Sequence, residues 1–248
     1  MVKGLDTFQK YFADYEEQYV LIGGAACDIL FESNEVNFRA TRDLDMVLIV
    51  EALTPEFGEK FWKFIVDGKY RNKATNGSNP QFYRFDKPED DNFPKMIELF
   101  CRSDFKLKDA KGITPIHIDD EVSSLSAILL NDDYYKALLN GKEVRKGLSV
   151  LRPEYIILFK AKAYLDLKKQ KDLGKKVDSS DIKKHKKDVL RIASELMLEK
   201  VEELPIAVDA DIHSFIDLLE QEPFDQNSLK RFGLKNEDVV EVLKQVFG

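Results

Sequence analysis

The chain has 248 residues, of which 44% are hydrophobic, enough to fill one large core or two modest ones. A formal net charge of −7 excludes a polycation that binds nucleic acid indiscriminately, so any such contact needs a local patch. Cys27 and Cys101 stand in no CxxC and no His/Cys cluster, which argues against a disulfide scaffold or a zinc site and for a reducing compartment. No apolar run approaches roughly 18 residues and the first residues lack a signal pattern, so a cytoplasmic location is the expectation.

From the N-terminus, Leu5, Phe8, Phe12 and Tyr15 recur at helical spacing over residues 4–17, and Tyr19–Ile22 then reads as a short strand ending at Gly23-Gly24. AACDILF follows as a helix, DLDMVLIV as a strand and PEFGEKFWKFIVDG as a helix closed by Gly68. QFYRF and KMIELF are two more strand candidates, and the polar PEDDN between them predicts antiparallel neighbours. SSLSAILL reads as a strand, and YYKALLNGKEV as a short helix or hairpin. PEYIILFKAKAYLDL then begins with Pro153 at a helix-start position and continues as an amphipathic helix. After a charged loop, KKQKDLGKKVDSS, Ser179 or Ser180 is placed to cap a helix through DIKKHKKDVLRIASEL, and shorter helical segments over 211–221 and 236–247 finish the chain. The expected class is α+β: a small mixed-sheet domain over 1–150 and a C-terminal helical domain over 151–248.

The chemistry is concentrated in RDLDMVLIV. Side chains alternate along a strand, so Asp43 and Asp45 share one side of the sheet roughly 7 Å apart. Like charges beside an apolar sheet are costly to desolvate unless they take up protons or a cation, and Mg²⁺ is the usual oxygen-seeking partner. Glu98 repeats the anomaly as the one acid in KMIELF, and a neighbouring strand is where a third carboxylate would complete a divalent-metal site. Gly23-Gly24, between a strand and a helix, would let a phosphate approach backbone N–H groups and the positive helix end.

Gly23-Gly24, then Arg39-x-Thr41-x-Asp43-Leu44-Asp45, then Glu98 resembles the active-site pattern of the nucleotidyltransferase superfamily related to DNA polymerase β. The form with a long gap after the glycines is similar to the AbiEii/AbiGii toxin nucleotidyltransferases. Pro153, Glu154, Lys160 and Ala163 match a further family helix, and Lys187-Asp188 a later basic one. The resemblance covers roughly residues 18–195. One departure is visible: the arginine that often follows the Lys-x-x-Ala helix is replaced by Asp166 or a lysine after it, and a longer charged insert follows.

The resemblance implies that Asp43, Asp45 and Glu98 hold Mg²⁺ against a nucleoside triphosphate, and that Lys160 neutralises its outer phosphates. It further implies that Gly23, Gly24, Arg39, Thr41, Lys187 and Asp188 contact the nucleotide, and that the helical domain closes over it. A nucleoside monophosphate would pass to an acceptor hydroxyl on RNA, such as the 3′ end of a tRNA, under the restraint of an antitoxin protein. A small-molecule acceptor and a non-catalytic nucleotide-binding relative are the alternatives.

Simpler readings stand beside these. Residues 160–191 hold eleven lysines and one arginine against five aspartates, a local excess of +7 that is either a solvated face or a patch for RNA phosphates. Asp43 and Asp45 could instead be solvent-facing or paired with Arg39 or Arg42. His185, between two lysines, reads as exposed and inert, Cys27 as a small buried residue, and PEDD at 88–91 as a solvated turn.

Overall fold

The computed structural model describes residues 3–33, 43–72, 82–101, 128–129 and 131–248. They divide into two compact units, Met1–Asp119 with Lys142–Leu151, and Asp120–Gly141 with Arg152–Gly248. The chain therefore enters the second unit, returns to the first for one hairpin, and leaves again.

The first unit carries α1 (Leu5–Phe12), β1 (Tyr19–Ile22), α2 (Gly23–Ser33), β2 (Asp43–Leu48) and α3 (Pro55–Asp67), followed by β3 (Arg71–Asn72), β4 (Phe82–Asp86) and β5 (Met96–Cys101). The returning hairpin adds β6 (Lys142–Arg145) and β7 (Leu148–Leu151). The strands form one mixed sheet in the order β3-β4-β5-β2-β1-β7-β6. β2 runs parallel to β5 and β1 parallel to β7, while the other neighbours are antiparallel.

Alternation along the strands gives this sheet two chemically different faces. One carries Tyr19, Leu21, Leu44, Met46, Ile97, Leu99 and Phe85, all buried. An aromatic layer from α1 and α3 covers it: Phe8 meets Tyr19 edge-on at 5.5 Å, and Phe61 meets Phe85 at 5.5 Å. α3 is set by local chemistry, since the Thr54 hydroxyl accepts the Phe57 N–H at 3.3 Å, Pro55 opens the helix and Gly68 closes it. The other face carries Asp43, Asp45, Glu98 and Arg84.

Of the short helix or hairpin expected over YYKALLNGKEV, the structure makes a helix as far as Asn140 and then the strand β6, while its partner β7 was not legible in the sequence. The two central residues of the β6–β7 hairpin, Lys146 and Gly147, have φ of 51° and 69°, the mirror-image turn that matches strand twist. Lysine rather than asparagine in the first of these positions hid the signal. Of the strand expected over 123–130, Ile128 and Leu129 are helical and buried, and the remaining residues lie outside those described.

The second unit contains α4 (Asp132–Asn140), α5 (Pro153–Asp172), α6 (Ser179–Glu195), α7 (Ile206–Gln221), α8 (Gln226–Phe232) and α9 (Asn236–Phe247). α5 is its axle, packing on α4, α6 and α7. Tyr155, Ile156, Ile157, Leu158 and Phe159 are buried in succession, so the first half of α5 is enclosed all round and is not the amphipathic helix expected. Asp178, not Ser179 or Ser180, caps α6, its carboxylate accepting the Ser180 N–H at 2.8 Å, and His185, expected exposed, is buried on the inner face of this helix. α8 is an addition to the sequence reading, capped by Asp225 and closed by Gly233 at φ 66°. No helix among the described residues is long and apolar enough to cross a membrane.

Candidate active site

The parallel register of β2 and β5 sets Asp45 directly opposite Glu98, and the antiparallel register of β1 and β2 sets Asp45 opposite Ile22. Asp45 is thus the centre of three strands, one residue from the point where β1 passes into α2. That passage is made by Gly23 at φ 62°, in the left-handed region that favours glycine. A Cβ at Gly23 would lie 2.2 Å from Asp45 Oδ2, so the carboxylate occupies the space a side chain would need. Glycine is required here by an acid lying over the start of a helix, where backbone N–H groups and the helix dipole favour negative charge. Gly23 keeps partial exposure and Gly24 is buried.

Glu98 is 7% exposed and hydrogen-bonds with Asp45. Burial first, and the Asp45 charge second, push its pKa up to about 8 against the opposing pull of Arg84. The Arg84 guanidinium donates from Nε to Glu98 Oε1 at 2.7 Å, with Nη2 2.5 Å from the same oxygen. Both nitrogens address one oxygen, which fixes the carboxyl plane without the two-oxygen fork of an ideal Arg–carboxylate pair. Arg84 thus opposes part of the charge that drives the Glu98 pKa upward.

Asp43 lies on the same face, one pleat beyond Asp45 and opposite Met96. The sheet therefore brings Asp45 and Glu98 into contact and keeps Asp43 roughly 7 Å along the strand. Among the described residues no three His, Cys, Asp or Glu side chains converge closely enough to hold a metal ion as they stand. Arg39 and Thr41 lie outside the described residues.

Lys160, Lys187 and Asp188 belong to the second unit. Lys160 on α5 pairs with Asp188 on α6 at 3.0 Å, their side chains 12% and 5% exposed, while Lys187 is exposed. Much of the basic run is engaged within the unit: Lys162 pairs with Asp166 and Asp211, Lys168 with Glu222, and Arg191 with Glu195. Glu154, at the start of α5, is buried and accepts the Glu199 N–H at 2.7 Å, and burial raises its pKa.

Arg84 is the residue that sequence reasoning missed. QFYRF and KMIELF were recognisable as a hairpin, but a connection of nine residues between strands does not fix register. Only the observed pairing of Arg84 with Glu98 identifies the lone cation of β4 as the counter-charge of the lone acid of β5.

No family model matches the sequence, and no curated protein matches it. Among solved structures, the chain is similar to an antigenic nucleotidyltransferase-like protein from Paracoccidioides brasiliensis, at 16% sequence identity and a TM-score of 0.47. The match covers 98% of this chain and 93% of that one. At 16% identity, side-chain roles do not transfer from that protein to this one.

Proposed function

We propose that this chain is a nucleotidyltransferase that moves a nucleoside monophosphate from a triphosphate to an acceptor hydroxyl. The observation that carries the reading is the juxtaposition of Asp45 with Glu98 on one side and with the helix-opening Gly23 on the other. A structural role alone does not account for two carboxyls in contact on one sheet face, Glu98 buried and Asp45 half-buried, where desolvation and like charge both raise the cost of ionising them.

The donor set fits Mg²⁺. That ion keeps several waters and commonly takes only one or two protein carboxylates, the remaining positions going to substrate phosphates. Asp45 and Glu98 would hold it, with Asp43, on the same face, available to a second ion. When bound, Mg²⁺ would offset triphosphate charge and ease loss of the acceptor hydroxyl proton. The chain's own contributions are orientation and charge. Arg84 fixes the Glu98 carboxyl beside Asp45, and the start of α2 stabilises the Asp45 anion. The acceptor oxygen forms a bond to the α-phosphorus, the bridge to the β-phosphate breaks, and pyrophosphate leaves. The hydroxyl proton passes to a carboxylate of the cluster.

For the acceptor we favour RNA, on the +7 excess of residues 160–191, with Lys175 and Lys176 among its exposed cations. A restraining antitoxin rests on the resemblance in sequence pattern alone. The test is incubation with each labelled triphosphate, Mg²⁺ and total RNA. Asp45→Asn should lower transfer at least ~100-fold while the melting temperature stays near native, as expected when a group acts chiefly on the transition state. Transfer that survives in Asp45→Asn sinks the assignment of the cluster. Absence of both transfer and Mg²⁺-dependent nucleotide binding in the parent chain leaves a non-catalytic protein as the better account.

A further inference from the structure

The second unit contains a cavity of about 580 Å³ between α5, α6 and the connection from α7 to α8. That lies within the roughly 300–1,000 Å³ range of small-molecule sites. Lys168, Lys171, Lys183, Lys186 and Lys187 line it, against Asp172, Glu222 and Asp225. The difference, five cations less three anions, is a local +2 in a chain whose net charge is −7.

Two of the three acids are engaged within the wall itself, Glu222 by one of the five lysines. Glu222 takes Lys168 and the Tyr164 hydroxyl, the latter at 3.2 Å, and Asp225 caps α8 by accepting the Ser228 N–H and hydroxyl, each at 2.9 Å. Lys186 is built into the wall rather than waving from it. Its ammonium stands 5.7 Å from the Tyr164 ring centroid and 5.4 Å from that of Phe224, and donates to the Glu222 and Pro223 carbonyls. Burial, followed by the neighbouring Lys168, lowers its pKa against the opposing pull of Glu222, a cost that an incoming anion would relieve. Lys183 and Lys187, one helical turn apart on α6, are exposed at the cavity. Ile182, Leu190 and Phe224 supply an apolar part of the lining.

We propose that this cavity binds a small, multiply phosphorylated molecule, its phosphates taken by the lysines of α5 and α6 and its remainder by the apolar wall. Nucleic acid would use an extended basic track with stacking aromatics, whereas these cations converge on a concavity and Lys186 covers the rings. The inference uses none of the side chains assigned to transfer in the first unit, so it is independent of that chemistry, but its lysines lie in the 160–191 run and it competes with an RNA acceptor for Lys183 and Lys187.

Calorimetric titration of the full chain with inorganic tripolyphosphate, in EDTA so that metal-dependent binding is suppressed, tests it. Saturable binding is expected, weakened at least tenfold in Lys183→Ala/Lys187→Ala and changed less than twofold in Asp45→Asn. Both lysines are exposed, so the double variant should fold, and its circular dichroism and melting curve verify this. An absence of saturable binding to the parent chain, or equal binding by the lysine variant, overturns the proposal. If an RNA oligonucleotide loses affinity in the lysine variant while tripolyphosphate binds to neither protein, the lysines belong to an RNA surface and the small-molecule site is rejected.

Discussion

Among the described residues, two ionic clusters, one in each unit, are opposite in kind. In the second unit Lys160 and Asp188 tie α5 to α6 as unlike charges at 3.0 Å. In the first, Asp45 and Glu98 are like charges in register, with Arg84 as partial counter-charge. The unlike pair can be complete as folded, and breaking it exposes a buried charge. The like pair is held in a costly state by the sheet and is relieved by a proton or by an added cation. Stored electrostatic cost of the second kind marks a site poised to bind, whereas the first kind marks a joint.

The contrast is broken most severely by removing one partner of the joint. Lys160→Ala leaves Asp188 buried without its ammonium and should cost about 3–5 kcal/mol in denaturant unfolding. A loss under 1 kcal/mol would show that solvent or other groups already serve Asp188. The same substitution, by lowering stability, would reduce activity for structural reasons, so transfer is to be compared well below the variant's melting temperature.

The next effect is the pH dependence of the like-charge pair. Glu98 has a folded pKa of about 8, above its ordinary 4.5, so between those values the folded chain keeps a proton that the unfolded chain has released. Stability in EDTA should therefore be fully favoured below about 4.5 and fall as pH rises to about 8, by at most ~1.4 kcal/mol per pH unit. Glu98→Gln should flatten that slope, and Asp45→Asn should draw the upper end of the window downward. A slope unchanged in both variants would place the titration elsewhere. Added Mg²⁺ should stabilise the parent chain most above pH 8, where both carboxyls are ionised.

Gly23→Ala sharpens the reading of why Asp45 lies where it does. A side chain at φ 62° costs about 1–2 kcal/mol, and its Cβ would have to displace the Asp45 carboxylate. Stability should fall by at least that amount, and transfer by more than the stability loss explains. A variant with native transfer would mean that the close approach of Asp45 to the start of α2 is incidental. The smallest effect serves as a control remote from either cluster: Thr54→Ala removes the cap of α3 and should cost about 1 kcal/mol by thermal melting, with transfer unchanged.

Much of the fold was legible because short-range chemistry decides it. Alternation identified β4 and apolar runs identified β2 and β5, Pro153 and Gly68 marked helix ends, and the polar PEDDN turn called for antiparallel neighbours, as β4 and β5 are. What escaped depends on burial by distant chain. Nothing local distinguishes the enclosed α5 from an amphipathic helix whose polar face meets water. The Lys146-Gly147 turn lacks the usual sequence signature, and its hairpin joins the sheet through the pairing of β7 with β1. Asp43, Asp45 and Glu98 could be picked out as acids misplaced in apolar strands, and the like-sided Asp43 and Asp45 follow from the two-residue period alone.

By itself the sequence determined that Asp43 and Asp45 share a face, that a glycine turn precedes a helix, and that positive charge accumulates late in an acidic chain, since these depend on residue type and on period. The tertiary structure decided that Glu98 meets Asp45 and not Asp43, that Arg84 is its counter-ion, that Asp45 fills the space above Gly23, and that Lys160 closes on Asp188. Strand register and helix packing are settled by which apolar surfaces are buried together over the whole chain. Charges follow the backbone to wherever that burial carries them, and are then left to find protons, counter-ions or ligands.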